Sequence, residues 1–337
     1  MTWILTGIGI WMSLPLGVLF LLAYVHLYLR WRYMPMIVRI FEEKPLFVVP
    51  RGDPVPDAED VHFPTENGRI LHGCYLRTRA RRRRGVILFG LEFGSNCWSC
   101  GPYCEHLVNA GYDVFAFEPR GQGDSDSEPG YEPLQWVTDH EVSDVYAALT
   151  YLRSRSDADP RGVGFFGISK GGTAGLLAAV NDPYIRCCVT DGAFATYTTM
   201  VPYMRKWFRI YNDRYLLQGL IPFWYYGAIG CVGLNRIAKA RRCSFPHLEW
   251  VISRISPRPL LMIHGRADTY IKWEMAKAVF DRAGERKEFW LVDGAKHNQA
   301  LQVAREEYRR RVLDFFNAYL AEQPHSARGR ERQSVNV

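Results

Sequence analysis

From Gly85 onward the sequence alternates short, continuous apolar runs with longer helical patterns, and this alternation restricts the fold more than any other feature. Val86-Ile-Leu-Phe89, Val114-Phe-Ala-Phe117, Val163-Gly-Phe-Phe166 and Arg186-Cys-Cys-Val-Thr190 read as strands. Between them, Tyr103–Ala110, Val137–Leu152 and Thr173–Val180 read as helices. The rhythm returns with Leu260-Leu-Met-Ile263, a helix over Trp273–Ala283, Phe289-Trp-Leu-Val292 and a helix from about Gln299 to Tyr319. A strand that is apolar at every position must be covered on both faces, and crossover helices provide that cover. The expected class is therefore α/β, with a mostly parallel sheet between two helical layers. Upstream, Val61–Gly68 and Arg69–Leu76 meet at Asn67-Gly68, a hairpin signal that places an antiparallel pair at the sheet edge.

Two segments stand outside this rhythm. Residues 194–255, rich in Tyr, Trp, Phe and basic side chains, read as a helical cap inserted between two strands, with most aromatics forming its own core. Trp3 to Leu29 contains no Lys, Arg, Asp or Glu. Crossing a bilayer takes about 20 apolar residues, so residues 1–30 are expected to form a single-pass membrane anchor. A cleaved signal peptide would need a basic start and a small-residue cleavage site, and neither is present. Arg30, Arg32, Arg39 and Lys44 follow the apolar run, so the positive-inside rule places the remainder in the cytoplasm. A juxtamembrane connector is expected over 31–58, ending in the Pro-rich stretch Pro50–Pro56. One folded domain is expected over 59–322, and a disordered basic tail from 323.

The formal net charge of +7 raises the question of nucleic acid. Much of the excess sits in Arg79–Arg84, after the apolar run and in the tail, without interleaved aromatics or a recognised binding module, so no nucleic-acid partner is expected. Cys97, Cys100 and Cys104 have metal-like spacing, but a zinc site wants four ligands and no second suitably spaced pair follows. The Gly121–Ser125 turn lacks the Lys-Ser/Thr ending of a phosphate loop. Neither metal nor organic cofactor is expected.

The chemistry concentrates at three strand ends. Gly167-Ile-Ser-Lys-Gly171 follows an apolar strand and precedes a helix of small residues. A nucleophilic Ser169 on such a sharp turn would have strained backbone angles, and flanking glycines remove side chains that would collide there. A serine hydroxyl needs a base, and the base an orienting acid. His264-Gly-Arg-Ala-Asp268 follows one later strand and Asp293-Gly-Ala-Lys-His297 follows the next, with Asp191 as reserve acid. Lys170 reads as a solvated or cap-facing side chain.

These motifs, with Phe89-Gly90-Leu91 and Glu118-Pro-Arg-Gly-Gln-Gly-Asp-Ser125, make residues 59–320 resemble an α/β-hydrolase of the serine esterase, thioesterase and aminopeptidase type. The resemblance implies Ser169 as nucleophile, His297 as base and Asp268 as its partner. It also implies backbone N–H groups of Lys170 and Leu91 as the oxyanion hole. Relatives often carry His-Gly where this chain has Phe89-Gly90, and Glu92 is an unusual charge for that loop. The Ser nucleophile speaks against the dehalogenase and epoxide-hydrolase branches. The expectation is hydrolysis of a small-molecule acyl ester or thioester, with an apolar acyl group suggested by the anchor and cap. Acyl transfer, peptide cleavage and a non-catalytic membrane-anchored binding protein are the alternatives.

Overall fold

The computed structural model describes residues 2–43, 51–211 and 221–321. The expected tail from 323 and residues 44–50 of the expected connector lie outside them. The described residues form two compact units. One holds those up to Glu43 together with those between Met200 and Ala240. The other runs from Arg51 to Thr199 and from Arg241 to Ala321.

The larger unit is built on one eight-stranded sheet. Its strands are β1 (Glu59–Pro64), β2 (Ile70–Leu76), β3 (Gly85–Gly90), β4 (Tyr112–Phe117), β5 (Val163–Ile168), β6 (Ile185–Asp191), β7 (Leu260–Gly265) and β8 (Lys287–Val292). They lie in the order β1-β2-β4-β3-β5-β6-β7-β8. β1 and β2 pair antiparallel from Glu59 opposite Tyr75 to Pro64 opposite Ile70, around the turn at Asn67-Gly68. β2 joins β4 antiparallel, and every later pairing is parallel. The sheet is therefore α/β and mostly parallel, with the hairpin at its edge.

The two-sided cover follows from the period of a strand. Phe165 enters one core and Phe166 the opposite one; Leu260 and Met262 face one side, Leu261 and Ile263 the other. Helices α2 (Gly101–Ala110), α3 (Asp139–Ser154) and α4 (Ser169–Asn181) connect the parallel strands. Burial of one phenylalanine in such a core contributes about 1.5–3 kcal/mol, and truncating Phe165 or Phe166 to Ala costs about 3–5 kcal/mol.

The smaller unit is helical. α1 (Thr2–Glu42) carries α5 (Thr196–Tyr211, from Met200 onward) and α6 (Phe223–Arg241) against its second half. Phe41 meets Tyr203 at 6.4 Å between ring centroids, and Tyr33 meets Phe208 at 6.2 Å. The expected connector is thus helical as far as Glu42. Met34, Ile37, Ile40 and Phe41 recur at helical spacing and are buried, so packing extends the helix beyond the apolar run. The expected spanning anchor finds no support: among the described residues no helix is long and apolar enough to cross a membrane.

Candidate active site

Strands β5, β6 and β7, with the loop after β8, deliver the site to one edge of the sheet. Ser169 is the first residue of α4 and has φ of +50°, a left-handed conformation rare for a residue with a side chain. The turn holds because its neighbours are glycines at close approach. A Cβ on Gly171 would lie 2.3 Å from the Leu91 carbonyl oxygen, and one on Gly167 would lie 2.6 Å from the Gly172 Cα. The same contact sets the loop after β3, with Leu91, against the first turn of α4, with Lys170.

The structure brings the three distant side chains together. His297 Nε2 lies 2.9 Å from Ser169 Oγ, and His297 Nδ1 lies 2.6 Å from Asp268 Oδ2. An ionised carboxylate only accepts, so Nδ1 carries the proton and Nε2 is left to accept from the serine hydroxyl. Asp268 is itself held on every side. Its Oδ1 accepts from the Tyr270 and Ile271 amides at 2.8 and 2.9 Å, and His264 Nε2 stands 3.3 Å from Oδ2. Burial opposes its ionisation, but the hydrogen bonds from His264 and His297 outweigh burial and hold the carboxyl below the usual carboxylate range.

Asp191, at the end of β6, makes no such contact with His297. It accepts from the Tyr308 hydroxyl at 3.1 Å, and its Oδ1 is buried without a hydrogen-bond partner. Burial pushes its pKa up to about 7 against the pull of His264 and Tyr308. The hydrogen-bonded acid is Asp268.

Lys170 corrects the sequence reading. Its side chain is 3% exposed, and Nζ donates to Glu141 Oε1 at 2.7 Å and to the Leu134 carbonyl at 2.6 Å. Glu141 also closes the capping box of α3, accepting from the Thr138 amide at 2.8 Å. Burial opposes its charge, yet Lys170 and the surrounding donors keep its pKa below the usual value. Lys170 is inside because its partner belongs to another helix, information that local sequence does not carry.

Glu92 also acquires a physical setting. It is buried, and Asn298 Nδ2 donates to its Oε2 at 2.5 Å, tying the loop after β3 to the residue that follows His297. Burial pushes the Glu92 carboxyl above its usual range, against Asn298 and the nearby His297. His264 and Asn298 are the site residues that motif reading passed over; only adjacency to Asp268 and His297 signals them.

The Glu118–Ser125 motif serves as a brace. Glu118 accepts from the amides of Cys97 and Asp124 at 3.0 and 2.7 Å and sits 3.0 Å from His72 Nδ1. Arg120 pairs with Asp144 at 2.6 Å. Glu118, His72 and Cys97 stand close enough to share an ion, but the Glu118 oxygens are already engaged by backbone donors.

Several known proteins resemble this chain in sequence or in fold. Residues 81–225 match the family model described as serine aminopeptidase, S33. The Escherichia coli K12 protein YfhR is 28% identical over 265 residues, covering 77% of this chain and 80% of that one. A thiohydrolase of Eupenicillium brefeldianum is 26% identical over 140 residues, 41% of this chain and 44% of that protein. An esterase of Pyrococcus furiosus superposes with a TM-score of 0.61 at 23% identity, over 82% of this chain and 98% of that one. The chain has the α/β-hydrolase fold.

Proposed function

We propose that this protein is a serine hydrolase that cleaves a carboxylic ester or thioester through an acyl-enzyme on Ser169. The observation that carries the reading is the continuous hydrogen-bonded line from Ser169 Oγ through His297 to Asp268, at 2.9 and 2.6 Å. His297 takes the serine proton as Oγ attacks the carbonyl and returns it to the leaving group. It then activates water for deacylation. Asp268 fixes the imidazole tautomer and stabilises the imidazolium that forms. The amides of Lys170 and Leu91 are assigned to the developing oxyanion, where one donor is worth about 3–4 kcal/mol. The esterase and thiohydrolase likenesses support the ester and thioester class, and the aromatic segment 194–255 supports an apolar acyl group.

The reading is tested by turnover of p-nitrophenyl butyrate and of a fatty acyl thioester. Ser169→Ala should abolish both while leaving the fold intact by circular dichroism; undiminished turnover in that variant removes the proposal. The serine aminopeptidase model favours a second reading, cleavage of an N-terminal peptide bond on the same residues. Release of free amine from aminoacyl anilides, with no turnover of either ester, would select it.

A further inference from the structure

At one end of the helical unit three segments meet. α5 finishes there, α6 begins there, and α1 passes through at His26–Tyr33. His26 Nδ1 lies 3.2 Å from the Tyr225 hydroxyl, and Phe208 packs between Tyr33 and Tyr226 with centroid separations of 6.2 and 5.8 Å. Toward the N-terminus from this level, Leu16, Val18, Leu19, Phe20, Leu21 and Leu22 are 50–74% exposed. Neighbouring residues on a helix point in different directions, so this stretch is apolar and open all the way round. A soluble surface helix would instead show one polar face.

The junction itself has a different character. Trp31, Phe223, Trp224 and Ile210 are 75%, 57%, 71% and 56% exposed there. Arginines stand among them: Arg30 and Arg32 on α1, Arg205 and Arg209 on α5. The Arg205 guanidinium lies 5.5 Å from the Phe223 ring centroid, and that of Arg32 lies 5.7 Å from Tyr33. Among the described residues of this unit the acidic side chains are Glu42 and Glu43, at the C-terminal end of α1. An apolar helix bounded by exposed indole rings and unopposed arginines matches the layers of a lipid leaflet. Hydrocarbon comes first, then the interface that favours Trp and Tyr, then phosphate. A protein partner would cover one stripe of the helix and leave the other faces in water.

We propose that this end of the helical unit docks on an anionic bilayer. Leu16–Leu22 enter the acyl region, Trp31, Phe223 and Trp224 lie at the interface, and Arg30, Arg32, Arg205 and Arg209 meet lipid phosphates. The assignment is independent of the serine chemistry, and it makes the segment beginning with α6 a lipid contact in its own right.

The test uses the full chain with vesicles of phosphatidylcholine alone or with added phosphatidylglycerol. In a Cys231→Ser, Cys243→Ser background, Trp224→Cys carries an environment-sensitive NBD label. Anionic vesicles should shift its emission to the blue, and a headgroup-level quencher should reduce it. A label at Asp314→Cys should not respond. At limiting lipid, Arg205→Gln and Arg209→Gln should each lower partitioning onto anionic vesicles about fivefold, and high salt should do the same. The label at 224 keeping its aqueous emission on lipid-bound protein would overturn the proposal. So would equal partitioning onto neutral and anionic vesicles, or a blue shift that follows protein concentration without lipid, which would indicate a second copy of the chain. Hydrolysis of a soluble short ester, measured on the same samples, reports separately on Ser169.

Discussion

Asp191 ends β6 and Asp268 lies three residues beyond its neighbour β7, both almost fully buried, yet their surroundings drive them in opposite directions. Asp268 receives two backbone amides and two imidazoles, and its charge is stabilised. Asp191 receives one phenol and keeps one oxygen without a partner, and burial favours its neutral form. Position near a strand end nominates a carboxylate, while the donors around it decide whether it can hold a charge beside an imidazole.

The largest effect expected from this contrast is on turnover. Asp268→Asn should lower kcat by about four orders of magnitude with the fold retained, because the amide favours the wrong imidazole tautomer. Steady-state kinetics on a soluble ester measure this, and a loss under tenfold would break the comparison. Asp191→Asn should leave kcat within about tenfold and act on stability instead. The folded Asp191 binds its proton more tightly than the unfolded chain does. Its burden on stability is therefore absent below about pH 4, grows as pH rises toward 7 and stays above that. The bookkeeping figure is on the order of 4 kcal/mol. Denaturant unfolding at pH 5 and pH 8 should show the wild type losing stability over that interval and Asp191→Asn losing less.

A third buried carboxylate sharpens the point. Glu141 stays charged through Lys170, so Lys170→Met should strand it and cost about 3–5 kcal/mol. A double variant with Glu141→Gln should recover much of that loss in the same unfolding assay. The smallest effect belongs to Glu92. Replacing it with Gln keeps an acceptor for Asn298 but removes a negative charge near His297. Steady-state kinetics on a soluble ester should show kcat lowered by less than about tenfold, and a larger loss would give Glu92 a part in the chemistry.

Much of this arrangement was legible in sequence because it depends on local pattern. Val163–Phe166, Leu260–Ile263 and Phe289–Val292 announce strands by being apolar at every position. The residues just after them, Ser169, Asp268 and His297, are then confined to one sheet edge. Asn67-Gly68 fixed the hairpin for the same local reason. Contacts between distant segments were not legible. Lys170 looks like a surface lysine until Glu141, 29 residues earlier, is seen to reach it. Glu92 looks anomalous until Asn298 arrives from the far end of the chain. The helix beyond Leu29 is set by what Met34, Ile37 and Phe41 pack against, partners that the local sequence does not name.

If Ser169 is a nucleophile, its hydroxyl is activated by His297 and Asp268. Treatment of the native protein with a fluorophosphonate, followed by peptide mass spectrometry, tests it directly. One adduct is expected, on Ser169, absent in Ser169→Ala and strongly slowed in Asp268→Asn. An adduct elsewhere, or labelling of Ser169→Ala at the wild-type rate, would contradict the account.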